Sequence, residues 1–350
     1  MQSAEDNEAA AAWLPTSDKR GNPATTVDAP GPGEGALLST NLIRTSERWY
    51  VQRGSEAFPV EAELSSTGQL LAVGLKHVQV AASATAGGVP AAGLSLRSPV
   101  TTPCRVVAQA VNYRSHARDT GGGEDPPAVF FRKSSASVSG PTDDVVKPAH
   151  VRLLDYELEL GLVMGRRLAI GTTVTDADLP GYVAGLVMCN DLSARDVQLQ
   201  KGQFYESKSY PTFTPTGPRL VLPDLEDFGR LAGLRLRLWV NGELRQDGTV
   251  ADMITRPAAA LTLLARFQPL DPGDLVLTGT PGGTALQAPP VVIEKVGDLL
   301  PTPLKWRVFF SRQERNPAYL KAGDQVTASI ASEDGTLDLG TQRVAIRDGP

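Results

Sequence analysis

The chain has 350 residues, 41% of them hydrophobic and 21% charged, and a formal charge of -5 at pH 7. That length accommodates two domains or one large domain with an appendage, and the composition supports a full buried core. The acidic balance argues against nucleic acid or an acidic membrane surface as the main partner, and no run approaches the roughly 20 apolar residues needed to cross a bilayer.

The opening MQSAEDNEAAAAW lacks the basic start and apolar core of a secretory signal, so the cytoplasm is the default location. Residues 1–35 are rich in Ala, Pro, Gly and acidic groups without an apolar period, which predicts a disordered tail. Over 36–97 the short runs RWYVQRG, FPVEAEL and QLLAVGLKHVQV read as strands of a small β-rich N-terminal domain, with AASATAGGVPAAG at 81–93 as its linker.

The main domain, 98–350, begins with CRVVAQAVNY, a strand delivering the Gly- and Pro-rich loop RSHARDTGGGEDPP, which reads as exposed and mobile. AVFFRKSSASVSG is a further strand-like run. In LLDYELELGLVMG, residues 153–165, Leu154, Tyr156, Leu158 and Leu160 share one parity and Asp155, Glu157, Glu159 and Gly161 the other. Strand geometry then sets Glu157 and Glu159 on one face, about 6.6 Å apart at Cα. An acidic face in water is the plain alternative. After Gly161, however, LVMG is apolar on both parities, as where a strand enters the interior, and a buried carboxylate pair there needs a counter-charge.

TVTDADLPGYVAG carries a helix-start signal, with Thr175 three residues before Asp178 and Pro180 close behind. In GLVMCNDLSARDVQ an apolar strand ends at Asp191, which either stands at the inner end of that strand or, with Asn190, caps the next helix. LRLRLWVNGELRQDG is a hairpin broken at Asn-Gly, RPAAALTLLARF a short helix opened by Pro257, and GDLVLTGTPGG a buried strand ending in a glycine-rich turn. Strands dominate without regular βα alternation, so the expected class is β-rich mixed α/β. The two cysteines, Cys104 and Cys189, read as reduced thiols, and three scattered histidines do not suggest a zinc site. Glu157, Glu159 and Asp191 would form an oxygen-donor cluster suited to Mg²⁺ or Mn²⁺, with Ca²⁺ as a further candidate.

NYRSHA, DYELELGLVMG, NDLSARDVQ, KSYPTFTPTGP and LTGTPGG follow one another between residues 111 and 283 in the order typical of the fumarylacetoacetate hydrolase family, which the chain resembles. The resemblance implies a β-rich roll with a divalent metal held by Glu157, Glu159 and Asp191. It also implies chemistry on α-keto acids and 1,3-dicarbonyls: C–C hydrolysis of an acylpyruvate, or alternatively decarboxylation or isomerisation. Arg195, Gln198 and Lys208 match substrate-contacting positions, Arg114 and Lys133 lie beside the motifs as further cations, and Thr280 matches a position that holds the substrate carboxylate. His116 and Asp119 match a lid dyad in which an acid orients the imidazole, although Asp replaces the usual Glu; that departure keeps a catalytically inactive binding protein in view. Near Gln109 some members place a further aspartate ligand. Residues 285–316 intervene where relatives run on quickly to YLKAGD. Their aromatic residues Trp306, Phe309 and Phe310 would line the pocket entrance or a subunit contact, or pack as a local hairpin. A homodimer is expected from the resemblance alone.

Overall fold

The computed structural model describes residues 39–123, 125–288 and 302–350; the tail expected over residues 1–35 lies outside them. Alternating apolar positions produce β1 (Thr40–Arg44), β2 (Trp49–Arg53) and β3 (Glu56–Pro59), with Leu42, Trp49, Val51 and Phe58 turned inward. QLLAVGLKHVQV departs from the strand expected of it. Helix α1 (Thr67–Gln69) runs through a π-turn at Leu70–Gly74 into α2 (Leu75–Ser83). The Ser66 hydroxyl accepts the Gln69 N–H at 3.1 Å, and the buried positions Leu70, Gly74, Val78 and Ala81 recur every three or four residues, so helical period prevails over a coincidental alternation. Part of the expected linker is also structured, because β4 (Val89–Pro90) pairs with β3.

The chain continues through β5 (Val106–Ala110), α3 (Arg114–Asp119), β6 (Val129–Lys133), β7 (Val138–Ser139), β8 (Val145–Lys147), β9 (Leu154–Asp155) and β10 (Leu158–Met164). Next come α4 (Leu179–Tyr182), β11 (Val183–Asn190), β12 (Ser193–Ala194), α5 (Arg195–Lys201), β13 (Thr214–Leu222) and α6 (Leu225–Arg230). The hairpin β14 (Arg235–Val240) and β15 (Glu243–Thr249), then α7 (Pro257–Leu264), β16 (Leu275–Leu277), α8 (Thr302–Gln313), β17 (Gln325–Ala331) and β18 (Asp338–Asp348) complete it. Asn241 and Gly242 both have positive φ, 52° and 84°, the type I′ geometry that Asn-Gly favours between strands.

The larger sheet has eleven strands in the order β4-β3-β2-β1-β13-β11-β10-β16-β5-β6, with β7 beside β13; the smaller has the order β15-β14-β17-β18-β8. Residues 36–97 therefore do not stand apart as expected. Antiparallel pairing of β1 with β13 makes them an extension of the main sheet. Leu158, Leu160 and Leu162 of β10 pack with Leu236, Leu238 and Ile330 of the smaller sheet. From the other face, Val163, Val187 and Cys189 pack with Leu42, Val51, Leu70 and Val78. Both faces of β10 are thus covered, which is why its sequence turns apolar on both parities. Gly161 is small for the same reason: a Cβ there would lie 2.8 Å from Val187 Cγ1.

The segment 285–316 is not a hairpin where it is described. α8 lays Phe310 into the core, and the Arg152 guanidinium lies 6.0 Å from its ring centroid. The expectations placed on residues 289–301 and on the Trp306 side chain lie outside the described residues. Among the described residues no helix is long and apolar enough to cross a membrane.

Both cysteines are free, and burial pushes each thiol up to about 12. A thiolate-directed reagent at pH 8 is therefore expected to leave Cys104 and Cys189 unlabelled in the native protein and to label both in denaturant, as counted by mass spectrometry.

Candidate active site

β10 and β11 pair antiparallel with Leu158 opposite Asn190 and Glu159 opposite Cys189, and the Asp191 N–H donates to the Glu157 carbonyl at 2.7 Å. In that register Glu157, Glu159 and Asp191 leave one face of the ladder. All three are buried, and each can offer one oxygen within 4.8 Å of the others. The helix-cap alternative for Asn190 and Asp191 does not hold: α5 is preceded by Ala194 without a side-chain cap, while Asn190 Oδ1 accepts the Glu157 N–H at 3.0 Å.

The cations arrive from three other elements. Lys208 Nζ donates to Glu157 Oε2 at 2.5 Å and to Asp191 Oδ2 at 2.7 Å. Lys133, at the end of β6, donates to Asp191 and to the Phe213 carbonyl, so the sheet curls until its last strand meets the end of β11. Arg195 spans Glu157 and Asp155, with Nε 2.9 Å from Asp155 Oδ2, and its Nη1 donates to Gln198 Oε1 at 2.9 Å. Burial disfavours charge on Glu157, yet Arg195 and Lys208 hold its carboxyl well below the ordinary range. Burial likewise opposes charge on Lys208, but Asp191 and Glu157 outweigh it and raise its ammonium.

Glu159 is treated differently. It accepts only the Gly279 N–H, at 2.7 Å on Oε2, and forms no ion pair among the described residues. Burial, then Asp191 and Glu157, raise its carboxyl well above the usual value. A buried carboxylate facing two others needs either a proton or a cation. The all-oxygen donor set fits a hard divalent ion such as Mg²⁺ or Mn²⁺.

Where the ladder between β10 and β16 ends, side chains take over its hydrogen bonds. Gln246 of β15 accepts the Leu158 N–H at 3.0 Å and donates through Nε2 to Thr280 Oγ1 at 2.8 Å and the Pro281 carbonyl at 2.9 Å. Thr280 donates its hydroxyl proton to the Leu158 carbonyl at 2.9 Å, so that proton belongs to the fold rather than to a substrate carboxylate.

His116 and Asp119 share α3 but do not meet as the expected dyad. Asp119 Oδ2 accepts the Gly283 N–H at 2.8 Å, which places the carboxylate on the TGTPGG turn. His116 is buried, its Nδ1 has no hydrogen-bond partner among the described residues, and burial lowers the imidazole against the pull of Glu157. The segment read as a mobile loop begins as a docked helix: Ser115 Oγ donates to Asp252 at 2.6 Å and accepts the Gly282 N–H at 3.1 Å. Arg114 is exposed, donates at 3.4 Å to the Met253 carbonyl, and does not line the cavity.

A cavity of about 300 Å³ opens over the cluster, lined by His116, Glu157, Glu159, Arg195, Gln198, Lys208 and Thr280 together with Gln109, Thr120, Gln203 and several apolar groups. The sequence pattern of the fumarylacetoacetate hydrolase C-terminal domain matches residues 105–347. The chain belongs to the fumarylacetoacetate hydrolase family. The rat protein oxaloacetate tautomerase Fahd2a, mitochondrial, is 32% identical over 211 residues, 60% of this chain and 66% of that protein, just short of two thirds of its length. A probable 2-hydroxyhepta-2,4-diene-1,7-dioate isomerase from Mycobacterium abscessus superposes with a TM-score of 0.68 at 28% identity, over 89% of this chain and 100% of that one. Maleylpyruvate hydrolase from Sphingobium sp. SYK-6, whose structure holds manganese(II) and pyruvate, has a TM-score of 0.66 at 24% identity over 89% and 100%, a likeness of fold.

Sequence reasoning missed Asp155 and Gln246. Asp155 is buried and accepts the Ala285 and Leu286 N–H groups at 2.8 and 3.0 Å besides Arg195, so one carboxylate fixes both a site cation and the loop after TGTPGG. Its place on the same parity as Glu157 and Glu159 was the available signal. Gln246 sits in another sheet and left none. Gln246→Ala is expected to cost about 2–3 kcal/mol in urea unfolding, because it strands the Leu158 N–H and the Pro281 carbonyl in the interior.

Proposed function

We propose that the protein is a divalent-metal-dependent enzyme that enolises a 2-keto acid, acting as a keto–enol tautomerase or isomerase. The observation that carries this reading is the position of Asp119. Bonded to Gly283, it leaves His116 without the acid that would make it a strong water-activating base, whereas moving a substrate proton needs only a neutral imidazole. Support also comes from the rat relative, named as an oxaloacetate tautomerase, and the Mycobacterium abscessus neighbour, named as an isomerase.

Glu157, Glu159 and Asp191 would hold the ion. When bound, it supplies a Lewis acid that lowers the cost of negative charge on the keto oxygen. Lys208 and Arg195 line the cavity and offset the charge of the substrate carboxylate. His116, kept neutral by burial, takes a proton from the carbon beside the keto group and returns one to the oxygen. The docked α3 and the apolar wall keep bulk water from the exchanging proton.

Hydrolysis of a C–C bond is the second reading, favoured by the unpartnered His116 Nδ1 beside the cavity. Product analysis separates the two. With Mg²⁺ or Mn²⁺, the protein is expected to accelerate enol–keto conversion of oxaloacetate and phenylpyruvate and to release no acetate from acetylpyruvate. Pyruvate and acetate in equal amounts would install the hydrolase reading, and CO₂ from oxaloacetate a decarboxylase. Glu159→Gln is expected to abolish Mn²⁺ binding by calorimetry and to lower the tautomerase rate by about a hundredfold or more. Asp119→Asn, whose amide oxygen can still accept the Gly283 N–H, is expected to keep that rate within about threefold.

A further inference from the structure

The cavity has a second wall that the ionic cluster does not explain. Val111, Phe131, Leu199, Phe204 and Leu286 line it, all half-buried, so part of each apolar side chain faces the cavity. Strand alternation puts Phe131 on the same face of β6 as Lys133, whose amine reaches Asp191; Phe131 therefore stands one step outward from the charges. Phe204, in the turn after α5, stacks on it with ring centroids 4.8 Å apart and planes 23° from parallel, and Lys208 Nζ lies 5.4 Å from the Phe131 centroid. Val111 holds φ at 50°, a conformation unfavourable for a β-branched residue, at the edge of this wall.

Charge points the same way. Among the described residues lining the cavity, the cations are Arg195 and Lys208. Arg195 is engaged by Asp155, Glu157 and Gln198, and Lys208 by Glu157 and Asp191. With those two cations already shared between the acids and a substrate's first carboxylate, a second carboxylate at the far end would meet, among the described lining residues, Phe131, Leu199 and the neutral Gln109, Thr120 and Gln203, and would lack a counter-charge of its own.

We propose that the site selects 2-keto acids whose distal substituent is uncharged and apolar, an aryl or branched alkyl group seated against Phe131, Phe204 and Leu199, over 2-keto dicarboxylates. This rests on the 2-keto acid reading above and adds to it the chemistry of the tail.

Binding of unreactive analogues tests the tail apart from turnover. N-phenyloxamate and N-oxalylglycine share the oxamate head and differ in carrying a phenyl or a carboxymethyl tail. Calorimetry on the full chain loaded with Mg²⁺ is expected to show N-phenyloxamate binding about tenfold tighter or more. Phe204→Ala should reduce that preference to within threefold while leaving N-oxalylglycine within twofold of its original affinity, and Leu199→Arg should reverse it. Equal or tighter binding of N-oxalylglycine, equal weakening of both ligands by Phe204→Ala, or binding of neither would overturn the proposal. A phenyl preference without turnover of phenylpyruvate or oxaloacetate would uphold the tail assignment and remove the enolisation reading.

Discussion

The rest of the structure depends on a cluster of opposed charges taken out of water. Asp155, Glu157, Glu159 and Asp191 converge with Lys133, Arg195 and Lys208, all of them buried. Desolvating one such ion costs several kcal/mol, and only close pairing with further hydrogen bonds offsets that. The fold is arranged accordingly: each cation arrives from a different element, Lys133 from β6, Arg195 from the first turn of α5 and Lys208 from the segment before β13. The acids outnumber the bases by one, and Glu159 is the acid left without a base. The imbalance is local and has a chemical remedy. A divalent ion reverses its sign, and a monoanionic ligand then closes it, whereas a dianion reopens it.

Much of this was legible in the sequence because β-structure imposes a period of two. The parity of Glu157 and Glu159 gave their shared face, the apolar run before Asp191 gave its depth, and Asn-Gly and Pro257 gave the hairpin and the start of α7. What could not be read was long-range. QLLAVGLKHVQV fits both periods over its length, and only the Ser66 cap and burial against β2 and β3 select the helix. The union of residues 36–97 with the main sheet depends on pairing between β1 and β13, more than 150 residues apart in the chain. Arg114 lies within a motif but on the outer side of α3, a distinction that one helical turn conceals.

The turn TGTPGG shows why a motif can be recognised before its work is understood. Its Gly279 N–H serves Glu159, its Thr280 hydroxyl closes the ladder on Leu158, its Gly282 N–H binds Ser115, and its Gly283 N–H binds Asp119. Four consecutive functions on so short a stretch leave no room for a Cβ at the ends: one on Gly279 would lie 2.7 Å from Asn112 Cβ, and one on Gly283 would collide with the Arg245 carbonyl. The positive φ of both, 86° and 95°, is a second reason for glycine. Through these bonds, and the Gln246 amide on the Pro281 carbonyl, the turn links the ion cluster, α3 and the smaller sheet.

Those links bear on the chemistry. His116 lines the cavity from α3 while Asp119 of the same helix accepts the Gly283 N–H, and among the described residues the imidazole Nδ1 has no hydrogen-bond partner. Burial lowers such a base toward its neutral form, which on the proposed reading suits a proton that a neighbouring carbonyl has already made acidic. Water is a poorer acid than such a carbon-bound proton once the carbonyl is polarised, and activating it demands the stronger base that an ion-paired imidazole provides. On the proposed reading, the bond from the Gly283 N–H to Asp119 acts at the level of base strength: a carboxylate engaged there leaves the imidazole to proton transfer at carbon, for which the weaker base suffices.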